Sequence, residues 1–310
     1  MIEILSGQKT KKAIVTLAIG GSFEDQWRKN SLPLLLEYCK NHKLGLYLQN
    51  SSLDSQKVKK KLQWQKLLLA NELKINFSFI EEFCYIDTDI LVNKNAPSVF
   101  ASTNGKLSLV SQFNNLPFEL DLILRRIAFY RHNFLSKSYP LDSSLFMSVQ
   151  QIYDFHKLTP QPDYACTGFF AGNIEEHSEP MNDIYHDYPS SISTLTEGGD
   201  EPIINYEFQN QFEINWLPYQ FQALWLYEMA AHYTFLYENI DKLELIKNCV
   251  EASLENNVFL HFAGGWHESK MISIANQLAS INGFKEKFLE YLNTPVTGKP
   301  VGRILPTSEN

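Results

Sequence analysis

The chain has 310 residues, 44% hydrophobic and 20% charged, a composition that argues against disorder over most of its length. A formal net charge of −8 argues against a protein whose main task is holding nucleic acid, since that affinity comes from lysine and arginine on phosphates, although a bound nucleotide stays open. The four cysteines, Cys39, Cys84, Cys166 and Cys249, lack the spacing of a zinc site and the density of a disulfide scaffold, so they read as reduced thiols of a cytoplasmic protein.

Met1 to Lys12 has no apolar core of a signal peptide, and no stretch reaches the roughly 18 apolar residues of a spanning helix. After this polar lead-in, the apolar, β-branched run from Ala13 to Ile19 predicts a buried first strand, closed by a turn at Gly20-Gly21. A helix is expected from Phe23 through Cys39, kinked or interrupted at Pro33. Leu44 to Leu48 reads as a second strand, Val58 to Leu73 as a second helix, and Phe83-Cys84-Tyr85-Ile86 as a third strand ending in Asp87-Thr88-Asp89. Strands alternating with helices imply βαβ units, an α/β fold with a parallel sheet and helices on both faces.

Residues 114–160 are aromatic and helical in pattern. The segment from Leu122 to Tyr130 has two readings, an amphipathic helix packed on the sheet or a surface for a membrane or an acceptor. Strand and turn signals resume over Tyr164 to Gly172, followed by Gly198-Gly199-Asp200-Glu201-Pro202 and a helix from Ile203 to about Asn210. Val258-Phe259-Leu260 is another apolar run, Ile272 to Leu292 an amphipathic helix, and 294–310 a Pro- and Gly-rich tail.

Alternation along a strand would aim Asp87 and Asp89 to one side and Thr88 to the other. Two adjacent carboxylates call for a cation between them or a shared proton, and oxygen ligands suit Mg²⁺ or Mn²⁺, which also grip phosphate oxygens. Lys66 falls on one helical stripe with Leu62, Leu69, Ala70 and Leu73, so it either meets an anion or snorkels its amine to the surface. His261 follows an apolar run and precedes Gly264-Gly265, where imidazole suits a metal, glycine amides suit a phosphate and Lys270 could neutralise it; His267 competes with His261. Asp200 and Glu201 stand where acidic residues commonly cap a helix, with contacts to sugar hydroxyls as the functional alternative.

Four segments in this order resemble the GT-A glycosyltransferases, most closely the family-eight retaining galactosyl- and glucosyltransferases. They are Trp64-Gln65-Lys66-Leu67-Leu68-Leu69 leading to Phe83 through Val92, Cys166-Thr167-Gly168-Phe169-Phe170-Ala171-Gly172-Asn173, Asp200 through Asn205, and His261-Phe262-Ala263-Gly264. The resemblance implies one Rossmann-like GT-A domain over residues 11–293, built on a mixed, mainly parallel sheet, with a nucleotide-binding half at 11–110 and an acceptor-side half at 111–293. It implies that Asp87, Asp89 and His261 bind Mn²⁺ or Mg²⁺, and that Lys66 and Asp200 contact the sugar of a UDP-sugar donor. Thr16 and Ala18 would line the base, Thr88 and Gly264 would belong to the same donor site, and Lys270 would hold the diphosphate.

The reaction so implied passes a hexose to a hydroxyl of a glycan, lipid or protein, with retention, or with inversion if Glu201 acts as a base. Two departures stand out. Cys166 replaces the family's asparagine, and His267 stands where its phosphate-binding lysine is expected, Lys270 coming three residues later. The alternatives are a non-catalytic nucleotide-sugar-binding protein of the same fold and a phosphatase of the haloacid dehalogenase type.

Overall fold

The computed structural model describes residues 1–54, 60–141, 143–196 and 199–277. The expected start of the second helix at 58–59, Gly198, the part of the last helix beyond residue 277 and the tail at 294–310 lie outside the described residues.

Among the described residues, ten strands run in chain order as β1 (Ile2–Leu5), β2 (Lys12–Leu17), β3 (Gly45–Gln49), β4 (Glu82–Ile86), β5 (Ile90–Val92), β6 (Leu107–Val110), β7 (Phe169–Asn173), β8 (Ile214–Leu217), β9 (Ala223–Leu224) and β10 (Phe259–His261). Between them lie α1 (Gly21–Asn30), α2 (Leu32–His42), α3 (Leu69–Asn76), α4 (Leu120–Tyr130), α5 (Val149–Phe155), α6 (Ile174–Asp187), α7 (Ile192–Leu195), α8 (Glu201–Gln211), α9 (Trp225–His232) and α10 (Leu243–Asn256). Seven strands form one sheet in the order β1-β3-β2-β4-β7-β6-β8, and β5-β10-β9 form a second, three-stranded sheet.

The expected α/β architecture with a mixed sheet is present. Its balance is more even than the sequence pattern implied: β2–β3, β2–β4 and β6–β8 are parallel, whereas β1–β3, β4–β7 and β6–β7 are antiparallel. β4, from before residue 110, pairs with β7, from after it, so the two halves of the chain share one sheet.

Alternation along β2 explains the layers. Ala13 and Val15 face a core shared with Leu69 and Leu73 of α3, Met181 of α6 and Phe208 of α8, while Ile14 faces the opposite core with Trp27 of α1 and Leu35 and Tyr38 of α2. Each buried side chain of this size contributes about 1.5–3 kcal/mol, so the central strands are fixed from both sides. The single helix expected over 23–39 is two helices. α1 ends at Asn30, and Pro33 sits in the first turn of α2, where its missing N–H costs no helical hydrogen bond. Gly20, at φ 104, makes the turn into α1 in a conformation that only glycine adopts freely.

The expected second helix is a 3₁₀ segment over Leu62–Leu68 that continues as α3. That change of winding takes Leu62 off the buried stripe, leaving it 46% exposed, while Lys66 stays buried. β1 was read as a polar lead-in; it is an edge strand on β3, half covered, so its sequence carries little apolar signal.

Candidate functional site

β4 ends at Ile86, and Asp87-Thr88-Asp89 is the turn that carries the chain from the large sheet into β5 of the small one. The two carboxylates therefore converge by a turn, not by strand alternation, and Thr88 lines the same cavity as both of them. The turn is held at each end. The Asp87 amide donates to the Gly168 carbonyl at 2.8 Å, and the Asp89 carbonyl accepts from the Phe262 amide at 3.0 Å. Because β10 pairs antiparallel with β5, with His261 opposite Ile90, the imidazole arrives beside the turn.

Asp87, Asp89 and His261 each offer a ligand atom within 4.8 Å of the others. His261 Nε2 lies 3.1 Å from Asp89 Oδ1 and 3.9 Å from Asp87 Oδ2. His261 is 2% exposed, whereas the Asp87 and Asp89 side chains are about one-third exposed, so a cation held here would be open to a ligand on the carboxylate side. Burial favours the neutral imidazole, while Cys166 and Asp89 favour the charged one, and the net effect raises the His261 pKa well above its ordinary value. Burial also pushes the Cys166 thiol up, toward its neutral form, so the Asp89 carboxylate is the charge responsible. The site carries a surplus of negative potential, and two carboxylates with one imidazole form a donor set that fits Mn²⁺.

Two neighbours shape the cluster. Gly168 has no side chain because none fits: a Cβ there would stand 2.4 Å from His261 Cε1 and 2.7 Å from Asp87 Oδ2. Gln222, in the 3₁₀ turn before β9, has an amide nitrogen 3.1 Å from His261 Nδ1 and a buried amide oxygen with no partner. Rotating that amide by 180° puts the oxygen on Nδ1–H, satisfies the orphaned acceptor and turns the Nε2 lone pair toward the aspartates.

Lys66 Nζ pairs with Asp200 Oδ2 at 2.9 Å, both side chains buried, and donates to the Thr167 carbonyl at 3.1 Å. Of the two readings of Lys66, pairing is the one observed. Burial works to discharge the ammonium, but Asp200 and then Asp87 outweigh it and hold the pKa above the ordinary lysine value. Asp200 precedes α8 without capping it by a side-chain hydrogen bond, so the commoner use of aspartate in this place does not apply. Glu201, the first residue of α8, accepts from the Gln112 amide at 3.1 Å and the Thr167 amide at 3.4 Å. Burial first, and Asp200 second, push its pKa up to about 7.

Tyr85 links the groups, donating its hydroxyl to Asp87 Oδ1 while its ring lies 5.4 Å from Lys66 Nζ. Tyr85 and Gln222 were missed in the sequence, where each reads as ordinary strand or turn material, and Gly168 was named in a segment of the resemblance without a role.

Two cavities flank the cluster. Asp87, Thr88 and Asp89 open on one of about 640 Å³, next to Leu17, Ile19, Phe23, Lys60 and Lys61. His261, Glu201, Cys166 and Gly264 line a second of about 270 Å³. Thr16, on β2, and Ala18, just after it, are 0% and 1% exposed and line neither cavity; Leu17 and Ile19 line the larger one. Lys270 is exposed and lines a third cavity with Met271 and His267, sharing no residue with the first two. His267 bonds through Nδ1 to the Tyr139 hydroxyl and is not in the metal-ligand cluster.

No family model and no curated protein matches the chain. Among solved structures it is similar to a glycosyltransferase involved in the glycosylation of the major capsid of PBCV-1, at TM-score 0.48 and 12% identity, over 85% of this chain and 98% of that one. It is also similar to the galactosyltransferase LgtC in complex with donor and acceptor sugar analogues, at TM-score 0.47 and 10% identity, over 86% and 96% of the two chains. A third likeness, at TM-score 0.41 and 11% identity, is to the bifunctional glycosyltransferase WbbM, over 89% of this chain and 51% of that one. At these scores any functional reading rests on the chemistry of the site.

Proposed function

We propose that this chain is a metal-dependent glycosyltransferase of GT-A type that transfers a hexose from a UDP-sugar to an acceptor hydroxyl with retention. The observation that carries the reading is the convergence of Asp87, Asp89 and His261 beside a buried Lys66–Asp200 pair, between two cavities. The larger cavity suits the nucleotide diphosphate, and exposed Lys61 on its wall supplies a cationic charge, whereas the Lys60 ammonium is spent on the Tyr185 carbonyl and Lys270 lies in a separate cavity.

A divalent cation bound by Asp87, Asp89 and His261 would neutralise the charge that grows on the diphosphate as it leaves. The protein residues do the rest. Lys66 and Asp200 orient the donor sugar, Gln222 keeps the imidazole turned toward the aspartates, and Glu201 stands beside the acceptor cavity. The new bond joins the acceptor oxygen to the anomeric carbon, the bond from that carbon to the diphosphate breaks with its electron pair on the diphosphate, and the acceptor proton passes to a diphosphate oxygen. Four buried free thiols suit a cytoplasmic setting, and among the described residues no helix is long and apolar enough to cross a membrane.

The test is Mn²⁺-supported hydrolysis of UDP-hexoses. Asp89→Ala is expected to abolish it while the thermal midpoint without metal stays near wild type, and full activity in excess chelator would overturn the metal assignment. A β product from an α donor, read by NMR, would overturn retention. Cys166 in place of an amide, with Lys270 apart from the site, favours a second reading, a nucleotide-sugar-binding protein without turnover. Donor binding with neither hydrolysis nor transfer would establish it.

A further inference from the structure

α4 is apolar on two faces. Ile123 and Ile127 are buried in the core that holds Trp225, Tyr227 and Leu260, which accounts for one of them. The other carries Leu122 and Phe129, 48% and 56% exposed and seven positions apart, hence on one stripe of the helix. The stripe runs on into the turn Arg131–Leu135: the Phe129 ring meets Tyr130 edge to face, and Tyr130 stacks on Phe134, which is 42% exposed. Exposed apolar residues scattered singly are ordinary, whereas rings in contact at a surface mark a place that something covers.

The charges within this strip are of one sign. Between Asp121 and Asp142 the chain has no acidic residue and four cations, Arg125, Arg126, Arg131 and Lys137, in a protein of net charge −8. Arg131 is buried and spent on Glu268, and Arg126 is turned onto the Ala230 and Ala231 carbonyls. Arg125 reaches only Asp121, in a pair more than three-quarters exposed that water screens, and Lys137 is exposed. Glu119, before the helix, and Glu238, on the adjoining turn whose Tyr237 stacks on Tyr130, are the acids that border the strip.

Apolar rings interleaved with long cations on an outer face match a layer that is anionic at its surface and hydrocarbon beneath. A two-fold contact with a second copy fits less well, because it would set the same cations against one another. We propose that the strip from Leu122 to Lys137 docks the protein on an anionic lipid bilayer, with Leu122, Phe129 and Phe134 entering the headgroup layer and Arg125 and Lys137 meeting lipid phosphates. The contact is peripheral and reversible, and it goes beyond the proposed transfer reaction without depending on it.

The test uses the full chain without metal or donor, and vesicles of phosphatidylcholine alone or mixed equally with phosphatidylglycerol. Co-sedimentation is expected with the mixed vesicles and not with the neutral ones, and to weaken as salt is raised. Arg125→Gln and Lys137→Gln are each expected to weaken binding about fivefold, the equivalent of about 1 kcal/mol per cation at an anionic surface. The double variant Leu122→Gln/Phe129→Gln is expected to weaken it at least about tenfold through lost apolar burial. All four side chains are exposed, so these variants are expected to melt with the wild type, and Ile75→Gln, at an exposed apolar residue of α3, to bind as the wild type does. No binding to the mixed vesicles, equal binding to the neutral ones, or unchanged binding in every strip variant overturns the proposal. So does a concentration-dependent dimer in sedimentation velocity that Leu122→Gln/Phe129→Gln dissolves, which would assign the face to a second copy. With no donor present, failure here leaves the transfer reaction standing, and failure of transfer leaves the docking surface standing.

Discussion

Replacing Gly168 by alanine tests the metal cluster with a single methyl group. Carbon atoms in ordinary contact sit about 3.5–4.0 Å apart, so a Cβ at 2.4 Å from His261 Cε1 forces that atom or the backbone to move by about 1 Å. The added methyl also presses on Asp87 Oδ2 at 2.7 Å, driving two of the three ligands apart. Metal–ligand distances tolerate changes of about 0.2 Å, so a displacement of this size is expected to weaken Mn²⁺ by about 10–100-fold. Overpacking also costs stability, about 1–3 kcal/mol, which by itself says nothing about metal.

Gly172→Ala separates the two effects. It lies on β7, the strand that follows Gly168, where a Cβ would meet His177 Nδ1 at 3.0 Å and touch none of the three ligands. Free Mn²⁺ counted by electron paramagnetic resonance gives the affinity, and melting without metal gives the stability. The expected result is a loss of affinity in Gly168→Ala alone, with both variants destabilised. Wild-type affinity in Gly168→Ala would refute the geometry from which the cluster is argued.

Two further outcomes follow from neighbouring side chains. Glu201, with its pKa raised to about 7 by burial and by Asp200, favours the folded state below its ordinary value of 4.5, and that stability is lost as pH rises through 7. Glu201→Gln is therefore expected to raise the melting temperature at pH 8 relative to wild type by up to the equivalent of about 3 kcal/mol, with little difference at pH 4.5; equal differences at both would refute the raised pKa. Gln222→Leu removes the acceptor for His261 Nδ1–H and is expected to weaken Mn²⁺ about 10–100-fold and to change the tautomer seen by ¹⁵N NMR of the imidazole, and an unchanged tautomer would count against that role.

The parts of the fold legible in the sequence were those with long, uninterrupted apolar runs. β2, β3 and β4 were found because each is buried on both faces, and the break at Pro33 because proline leaves a local mark. The second sheet was not found, since strands of two or three residues carry no measurable periodicity. In the site, Asp87, Asp89 and His261 announced themselves as titratable groups at the ends of apolar runs, Lys66 as a charge on an apolar helical stripe and Asp200 as an acid between a glycine turn and a helix, and the structure brings them together.

What remained hidden was relational. Gly168 matters only because His261, 93 positions later, comes to rest against it, and Gln222 reaches His261 across 39 positions. The Lys66 stripe was read with the wrong helical winding and left pairing and snorkelling open, and the structure shows pairing, because a buried ammonium requires an anion whichever helix carries it. Thr16 and Ala18, named by the resemblance alone, are fully buried, while their neighbours Leu17 and Ile19 line the larger cavity.

The turn between the two sheets makes the proposed metal a fastener as well as a catalyst. Two of its holders sit on the segment joining the sheets and the third on the middle strand of the smaller one, so occupancy would tie residues about 170 positions apart into a closed ring. Chain stretches that long gain the most when clamped, so the small sheet, with strands too short to be rigid alone, would stiffen around the donor as it arrives.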